Sequence, residues 1–309
     1  MMATVKSEQN DKNHVTILMA TFNGYPWLSW QLSSLLAQTH INWSLWVSDD
    51  GSSDETLRLL EDFGVANPGR LARIIDGPRK GAAANFLHLL CHPDLPAGPV
   101  AFCDQDDVWM PDKLTHAVEV LSTSGDKPAV WAARYLVSDE ALAYSTPSAI
   151  WTRPPSFANA MVQNILSGHT LTLNALALAV LRKVGVTNVP HHDWWVYLVM
   201  TAIGAKVHVD DRIVLYYRQH DRNVMGARNL MRLARFRDTL DGTLQTWIAS
   251  HIEALIHSDL PLAQDPMNLI SAWQDLGKSR LEVVREFGVH RQSILETKFL
   301  HLVAALGKL

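Results

Sequence analysis

Several things are scarce in this chain, and each shortage excludes a class of protein. Only two cysteines occur among 309 residues, Cys91 and Cys103. Both stand in apolar settings without the spacing of a thiolate metal site, so they read as buried thiols in a reducing compartment. No apolar run approaches the ~18–20 residues needed to cross a bilayer. The first 14 residues are polar and lack the apolar centre of a signal peptide, so the expected location is the cytoplasm. Basic charge is not in excess: 27 Lys and Arg face 31 Asp and Glu, for a formal net charge of −4. Nothing in that balance points to nucleic acid. Glycine-rich phosphate signatures are missing too. Neither a Gly-x-Gly-x-x-Gly fingerprint nor a Gly-Lys-Ser/Thr loop follows the first apolar run. There is no internal repeat and no low-complexity segment.

What is present is regular alternation. The composition, 48% hydrophobic and 19% charged, suits a soluble globular chain able to bury a core without staples. Val15–Ala20 is a continuous apolar run, read as a buried strand. Thr21-Phe22-Asn23-Gly24 breaks it, and Trp27–Gln38 carries leucines at helical spacing. Strands at Trp43–Ser48, Arg70–Asp76 and near Val100 alternate with helices at Glu55–Phe63, Ala82–Leu90 and from Pro111. Four strand–helix alternations in about 110 residues predict an α/β fold: a mostly parallel sheet with helices on both faces. Further on, Ala129–Val137 reads as a strand and Ser145–Pro155 as a long loop. Ser167–Asn174 is expected to be a strand leading into a helix at Ala175–Lys183, and Asp193 to about Ile203 a further helix. Val207–Val209 and Ile213–Tyr217 read as a hairpin or two short strands. Residues 227–309 read as helices, about Ala227–His257, Met267–Phe287 and Arg291–Leu306.

In such sheets ligands bind outside the carboxyl ends of the strands. Polar clusters occur at three of those ends: Thr21 with Asn23, Asp49 with Asp50, and Asp104-Gln105-Asp106-Asp107. The last places three carboxylates close together. Their mutual repulsion is relieved by a divalent cation, and oxygen ligands without thiols favour Mg2+ or Mn2+. The plain alternative is a solvated acidic turn. Asp107 reads first as a cap of the following helix and second as a contact to metal-bound water.

In the second half, His191-His192-Asp193-Trp194-Trp195 opens a helix. Asp193 reads either as its N-cap or as a general base. His192, Trp194 and Trp195 suit an acceptor-sugar pocket, because aromatic faces pack on sugar CH surfaces; the two tryptophans read equally well as core. The arginines at 228, 232, 235 and 237 crowd the start of the C-terminal helices. The region reads as a small helical appendage packed on the sheet domain. The sharper alternative is a basic amphipathic surface in peripheral contact with the inner membrane.

Val15–Asn23, Asp49-Asp50-Gly51-Ser52-Ser53-Asp54 and Asp104-Gln105-Asp106-Asp107 with Pro111-Asp112-Lys113-Leu114 resemble, in order and spacing, the inverting family 2 glycosyltransferases of the GT-A fold. His192-Asp193-Trp194-Trp195 and Leu215-Tyr216-Tyr217-Arg218-Gln219-His220, with Asn223 and Gly226, extend the resemblance to bacterial rhamnosyltransferases of O-antigen and surface polysaccharide synthesis. It implies a Rossmann-like GT-A domain at 15–226. A nucleotide-sugar half (15–123) and an acceptor half (124–226) would follow a tail at 1–14 and precede the C-terminal helical region, 227–309. It further implies a dTDP-L-rhamnose donor and a glycan or lipid-linked glycan acceptor. Asp50 would read the base, and Asp104 and Asp106 would hold Mg2+ or Mn2+ on the diphosphate with His220 close by. Asp193 would be the base. Thr21, Asn23, Gln105 and Arg218 complete the expected nucleotide-sugar site, and His169 joins the expected acceptor contacts. The chain departs from the pattern at Arg79, where asparagine is common, at His169, where cysteine is, and at Asp221, where glycine is.

Competing readings are a UDP-hexose donor with the same chemistry, a nucleotidyltransferase and a non-catalytic nucleotide-sugar-binding protein. A nucleotidyltransferase would carry a glycine- and arginine-rich loop where Thr21-Phe22-Asn23-Gly24 stands. A non-catalytic role sits poorly with a complete set of candidate carboxylates.

Overall fold

The computed structural model describes residues 13–221, 223, 237 and 239–309. The first half follows the alternation in the sequence. Strands β1 (Val15–Thr21), β2 (Trp43–Asp49), β3 (Leu71–Asp76) and β4 (Val100–Asp104) alternate with helices α1 (Tyr25–Leu36), α2 (Thr56–Ala66) and α3 (Ala82–Leu90). Then come β5 (Val108–Trp109), α4 (Lys113–Ser122), β6 (Ala129–Ser138), β7 (Ser145–Pro147) and the short α5 (Phe157–Ala160). A single 3-10 turn at Gly168–Thr170 leads to β8 (Thr172–Leu173), α6 (Ala175–Val184), α7 (His192–Ala202) and β9 (Lys206–Arg218). Among the described residues, α8 (Thr243–Ile256), α9 (Gln264–Gln274), α10 (Arg280–Glu286) and α11 (Ile294–Ala305) follow.

The strands form one mixed sheet in the order β3-β2-β1-β4-β8-β6-β9-β5, with β7 beside β6. Its long ladders, β1 with β2 and β4, β2 with β3, and β6 with β9, are parallel. The two-residue strand β8 runs antiparallel to both β4 and β6, so those two share a direction. The carboxyl ends of β1, β2, β4, β6 and β9 therefore open on the same edge.

Two faces need two cores. Successive residues of a strand point to opposite sides. Ile17 and Met19 face one core with Leu28, Leu45, Leu60 and Trp131, while Leu18 faces the other with Phe86, Phe102 and Val130. Ile17, Leu18 and Met19 are consecutive and all apolar because both faces are covered. The C-terminal helices extend the second core: Leu244, Val283 and Leu300 are buried in the cluster that holds Phe102 and Trp195.

Three expectations are corrected. The hairpin or two short strands expected at 207–217 are one bulged strand parallel to β6, with the polar Asp210–Arg212 stretch falling at a register shift rather than a turn. The expected strand at 167–174 is a 3-10 turn followed by two strand residues. Val108–Trp109, too short to show a strand period, pairs with β9. Met267–Phe287 is split into α9 and α10; Ser279 caps the second through a reciprocal capping box with Glu282. Part of the expected helix at 227–257, including the arginines at 228, 232 and 235, lies outside the described residues.

Candidate active site

Strand β5 explains why the acidic run matters. Residues 104–107 leave the middle of the sheet at β4 and re-enter at its far edge, where Val108 and Trp109 pair with Tyr216 and Leu215 of β9. The acidic turn thus spans the strand ends of both halves, and His220, two residues past β9, meets it. His220 Nε2 lies 2.9 Å from Asp106 Oδ2. The Trp27 indole stacks on that imidazole at 3.6 Å between ring centres, with 6° between planes. Arg218 is buried; its Nε donates to the Asp106 carbonyl at 3.0 Å and Nη1 donates to the Glu140 carbonyl.

The loops after β1, β2 and β4 are laced together. Asp49 is buried and accepts from Thr21 Oγ1 (2.8 Å), the Gly51 and Ser52 amides and Ser52 Oγ (2.6 Å). Asn23 adopts a left-handed backbone, φ 49°, and accepts from the Ser53 amide at 2.8 Å, while its own amide donates to Ser52 Oγ. The Gln105 amide closes a reciprocal pair on Phe22: Oε1 accepts from the Phe22 amide and Nε2 donates to its carbonyl. A Cβ at Gly24 would lie 2.1 Å from that Oε1, so the close approach calls for glycine. Asp50, next to buried Asp49, is half-buried. Its oxygens accept from the Arg79 amide at 2.5 Å and the Gly81 amide at 2.8 Å. Arg79 thus enters the site through its backbone, in a left-handed conformation (φ 57°).

The carboxylates divide into two sets. Asp106 pairs with His220. Asp104, Asp107 and His169 form a second group, with one potential ligand atom from each and all of these within 4.8 Å of one another. His169 Nδ1 is 3.7 Å from Asp104 Oδ2 and 3.7 Å from Asp107 Oδ2. Asp107 does not cap a helix: α4 begins at Lys113 after Asp112, and Asp107 is fully buried with no hydrogen-bond partner on either oxygen among the described residues. Burial pushes its carboxyl well above the usual range, with Asp106 and Asp104 adding to the effect. Burial acts the same way on Asp104, but the His169 imidazole outweighs it, with help from His192 and Lys113, and its carboxyl is held low. A buried carboxylate with both oxygens orphaned, a second carboxylate half-exposed beside it and an adjoining imidazole fit a hard or borderline divalent cation.

Lys113, one of the residues that sequence reasoning passed over, is fully buried beneath this group. Its Nζ donates to the His169 carbonyl at 2.7 Å and sits 3.2 Å from the centre of the Trp109 ring. Burial lowers its pKa to about 7 against the raising effect of Cys103, Asp107 and Asp104. The Asp-Lys-Leu sequence had marked it only as part of a motif.

The 3-10 turn joins the acids to Asp193. Gly168 N–H donates to Asp193 Oδ2 at 3.1 Å, while the next residue supplies the His169 ring. Asp193 is not the N-cap; His191 holds that place, and Asp193 lies in the first turn of α7 with Oδ1 accepting from the Trp194 amide at 2.7 Å. His192 packs on Phe86 and Phe102, and burial lowers its pKa. Trp194 and Trp195 are placed in the core rather than on the cleft surface. Trp194 Nε1 donates to the Ala160 carbonyl, and both rings pack against His251 of α8.

A mixed sheet with this strand order, helices on both faces and acids at its central strand ends is the GT-A architecture of glycosyltransferases. The chain belongs to glycosyl transferase family 2, whose sequence profile matches residues 16–183. It is 29% identical over 231 residues to the dTDP-rhamnosyl transferase RfbG of Shigella flexneri, covering 68% of this chain and 74% of that one. It is 33% identical over 107 residues to the UDP-Glc:alpha-D-GlcNAc-diphosphoundecaprenol beta-1,3-glucosyltransferase WfgD of Escherichia coli, covering 35% of this chain and 40% of that one. Among solved structures, S. aureus TarS 1-349 in complex with UDP-GlcNAc superposes with a TM-score of 0.58 at 14% identity, over 96% of this chain and 88% of that one. The mannosyltransferase PcManGT of Pyrobaculum calidifontis, in complex with GDP-Man and Mn2+, superposes at 0.52 and 15% identity over 96% and 86%.

Proposed function

We propose that this glycosyltransferase moves L-rhamnose from dTDP-L-rhamnose, with inversion at C1, onto a hydroxyl of a glycan or lipid-linked glycan in bacterial surface polysaccharide synthesis. The observation that carries the reading is the turn at 168–169, which links the acids to Asp193 across one peptide bond. An in-line displacement needs the leaving group on one side of C1 and the base on the other. The similarity to RfbG over most of both chains supports the donor.

In this reading Asp50, held by the Arg79 and Gly81 amides, faces the base of the nucleotide. The Thr21, Asn23 and Gln105 lacing fixes the loop shapes around it. A divalent cation, Mg2+ or Mn2+, would be held by Asp104 with Asp107 and His169, and by Asp106 if the His220 pair opens toward it. When bound, it neutralises charge on the diphosphate. Arg218 fixes the Asp106 backbone and so the turn that faces the diphosphate. Asp193 takes the proton of the acceptor hydroxyl as the oxygen bonds to C1 and the C1–phosphate oxygen bond breaks, releasing dTDP. Each Asp193 oxygen accepts one backbone amide, which leaves a lone pair on each for that proton. His169 and His192 frame the acceptor side. Trp194 and Trp195 support it from the core.

The similarity to WfgD favours a second reading, the same chemistry with a UDP-hexose donor. A panel of nucleotide-sugars, assayed for binding and hydrolysis with and without Mg2+ or Mn2+, separates the two. Preference for dTDP-L-rhamnose is the expected result. Preference for a UDP-sugar replaces the donor and keeps the mechanism, and binding without turnover of any donor leaves a nucleotide-sugar-binding protein.

A further inference from the structure

Helix α11 is apolar on the side that should be polar. Its inner face, with Leu300, Val303 and Ala304, is buried in the core. Ile294, Leu295, Leu302 and the following Leu306 point outward, each more than half exposed. Exposed apolar side chains gathered on one helix face mark a contact surface, and here the protein covers only the inner face.

Charge says what covers the other side. Between residues 290 and 308 the exposed charged side chains are Lys298 and Lys308; Arg291 and Glu296 are buried. On a chain with a net charge of −4, the outward side of this stretch is therefore apolar, carries two lysines and has no exposed carboxylate of its own. A second copy of the chain fits it poorly. Two-fold packing of the face on itself would bring Lys298, near the middle of the stripe, toward its own copy in a drying interface. A lipid surface accommodates both features. Leucine side chains enter the acyl boundary while lysine stems reach back to the headgroups.

We infer that the outward face of α11 is a docking surface for an anionic lipid bilayer, with Ile294, Leu295, Leu302 and Leu306 inserted and Lys298 and Lys308 at the phosphates. Among the described residues no helix is long and apolar enough to cross a membrane, so this attachment is peripheral. The inference stands apart from the donor reading and uses none of its residues.

The test is co-sedimentation of the full chain with phosphatidylcholine vesicles and with vesicles in which part of that lipid is replaced by phosphatidylglycerol. Binding to the anionic vesicles is expected, weakened by salt. The Leu295→Glu/Leu302→Glu double variant should bind about tenfold or more weakly. Lys298→Glu should lose affinity for anionic vesicles only. Nucleotide binding by the double variant should match the parent, which shows that it is folded. Failure of the parent chain to bind anionic vesicles overturns the inference, as does unchanged binding by a folded double variant. A concentration-dependent dimer in light scattering that the same substitutions abolish, with no vesicle binding, assigns the face to a second copy instead.

Discussion

Gly168 donates its amide to Asp193 Oδ2 at 3.1 Å, and its missing side chain leaves room for His192, whose Nε2 would lie 2.8 Å from a Cβ at that position. One glycine thus fixes the carboxylate proposed as base and admits the imidazole packed beneath it.

Two substitutions separate those contributions. Asp193→Asn keeps the shape and removes the base, so donor binding should persist while transfer falls by about 10²–10⁴-fold. Gly168→Ala should displace His192 and loosen the amide contact, lowering transfer with a smaller effect on donor affinity. Calorimetry of nucleotide binding beside a transfer assay checks both. Loss of donor binding in Asp193→Asn would remove its assignment as the base.

Asp106 and Asp107 should behave differently toward metal. Asp107→Asn replaces a carboxylate whose oxygens accept no hydrogen bond among the described residues, so Mn2+ affinity should fall sharply with little loss of fold. Asp106→Ala leaves His220 without its 2.9 Å partner and should abolish metal-dependent nucleotide binding. Mn2+ titration followed by electron paramagnetic resonance, alone and with dTDP, reads each step. An Asp107→Asn protein that titrates like the parent would shift the cation wholly to Asp104 and Asp106.

Lys113 should be a stability residue as well as a neighbour of the site. Lys113→Met retains the volume but leaves the His169 carbonyl without its 2.7 Å donor and Trp109 without its cation. A loss of about 1–3 kcal/mol in urea unfolding is expected. An unchanged midpoint would mean that the turn at 168–170 holds without it.

His251 should make the C-terminal packing sensitive to acid. It is buried against Trp194 and Trp195 with neither ring nitrogen hydrogen-bonded among the described residues, and burial, aided by His191, lowers its pKa from 6.5 to about 3. Between those values the unfolded chain binds a proton that the folded chain refuses. Its contribution is therefore intact above about pH 6.5 and lost as pH falls toward 3, by up to about 1.4 kcal/mol per pH unit. Comparing urea midpoints of the parent and His251→Phe from neutral to mildly acidic pH should show a flatter profile in the variant. Parallel profiles would contradict it.

The first half of the fold was legible because β1, β2 and β4 are short, largely apolar runs that end in turn chemistry. Their period and length leave few alternatives, and the acids gathered at one edge as strand direction requires. The second half was harder for local reasons. Asp210-Asp211-Arg212 has the polarity of a turn, yet a bulge in a parallel ladder accepts the same residues. Val108–Trp109 is too short to carry a period, although it carries the acidic turn to β9. Asp107 could not be told from a helix cap, since Pro111 and Asp112 downstream offered a start and burial is not written in one residue. The same limit hid Lys113. Trp194 and Trp195 fit a sugar pocket by chemistry and the core by amphipathicity, and packing of α8 over α7 decided their place.

The hydrogen bonds that tie Asn23 to Ser52 and Ser53, Thr21 to Asp49, and Gln105 to Phe22 have a consequence for how this protein can be altered. A loop borrowed from a relative with a different donor would arrive without its counterparts on the neighbouring strands and would leave them unpaired. Transplants at this edge of the sheet should succeed only as a three-loop cassette, spanning residues 21–24, 49–56 and 104–107 together.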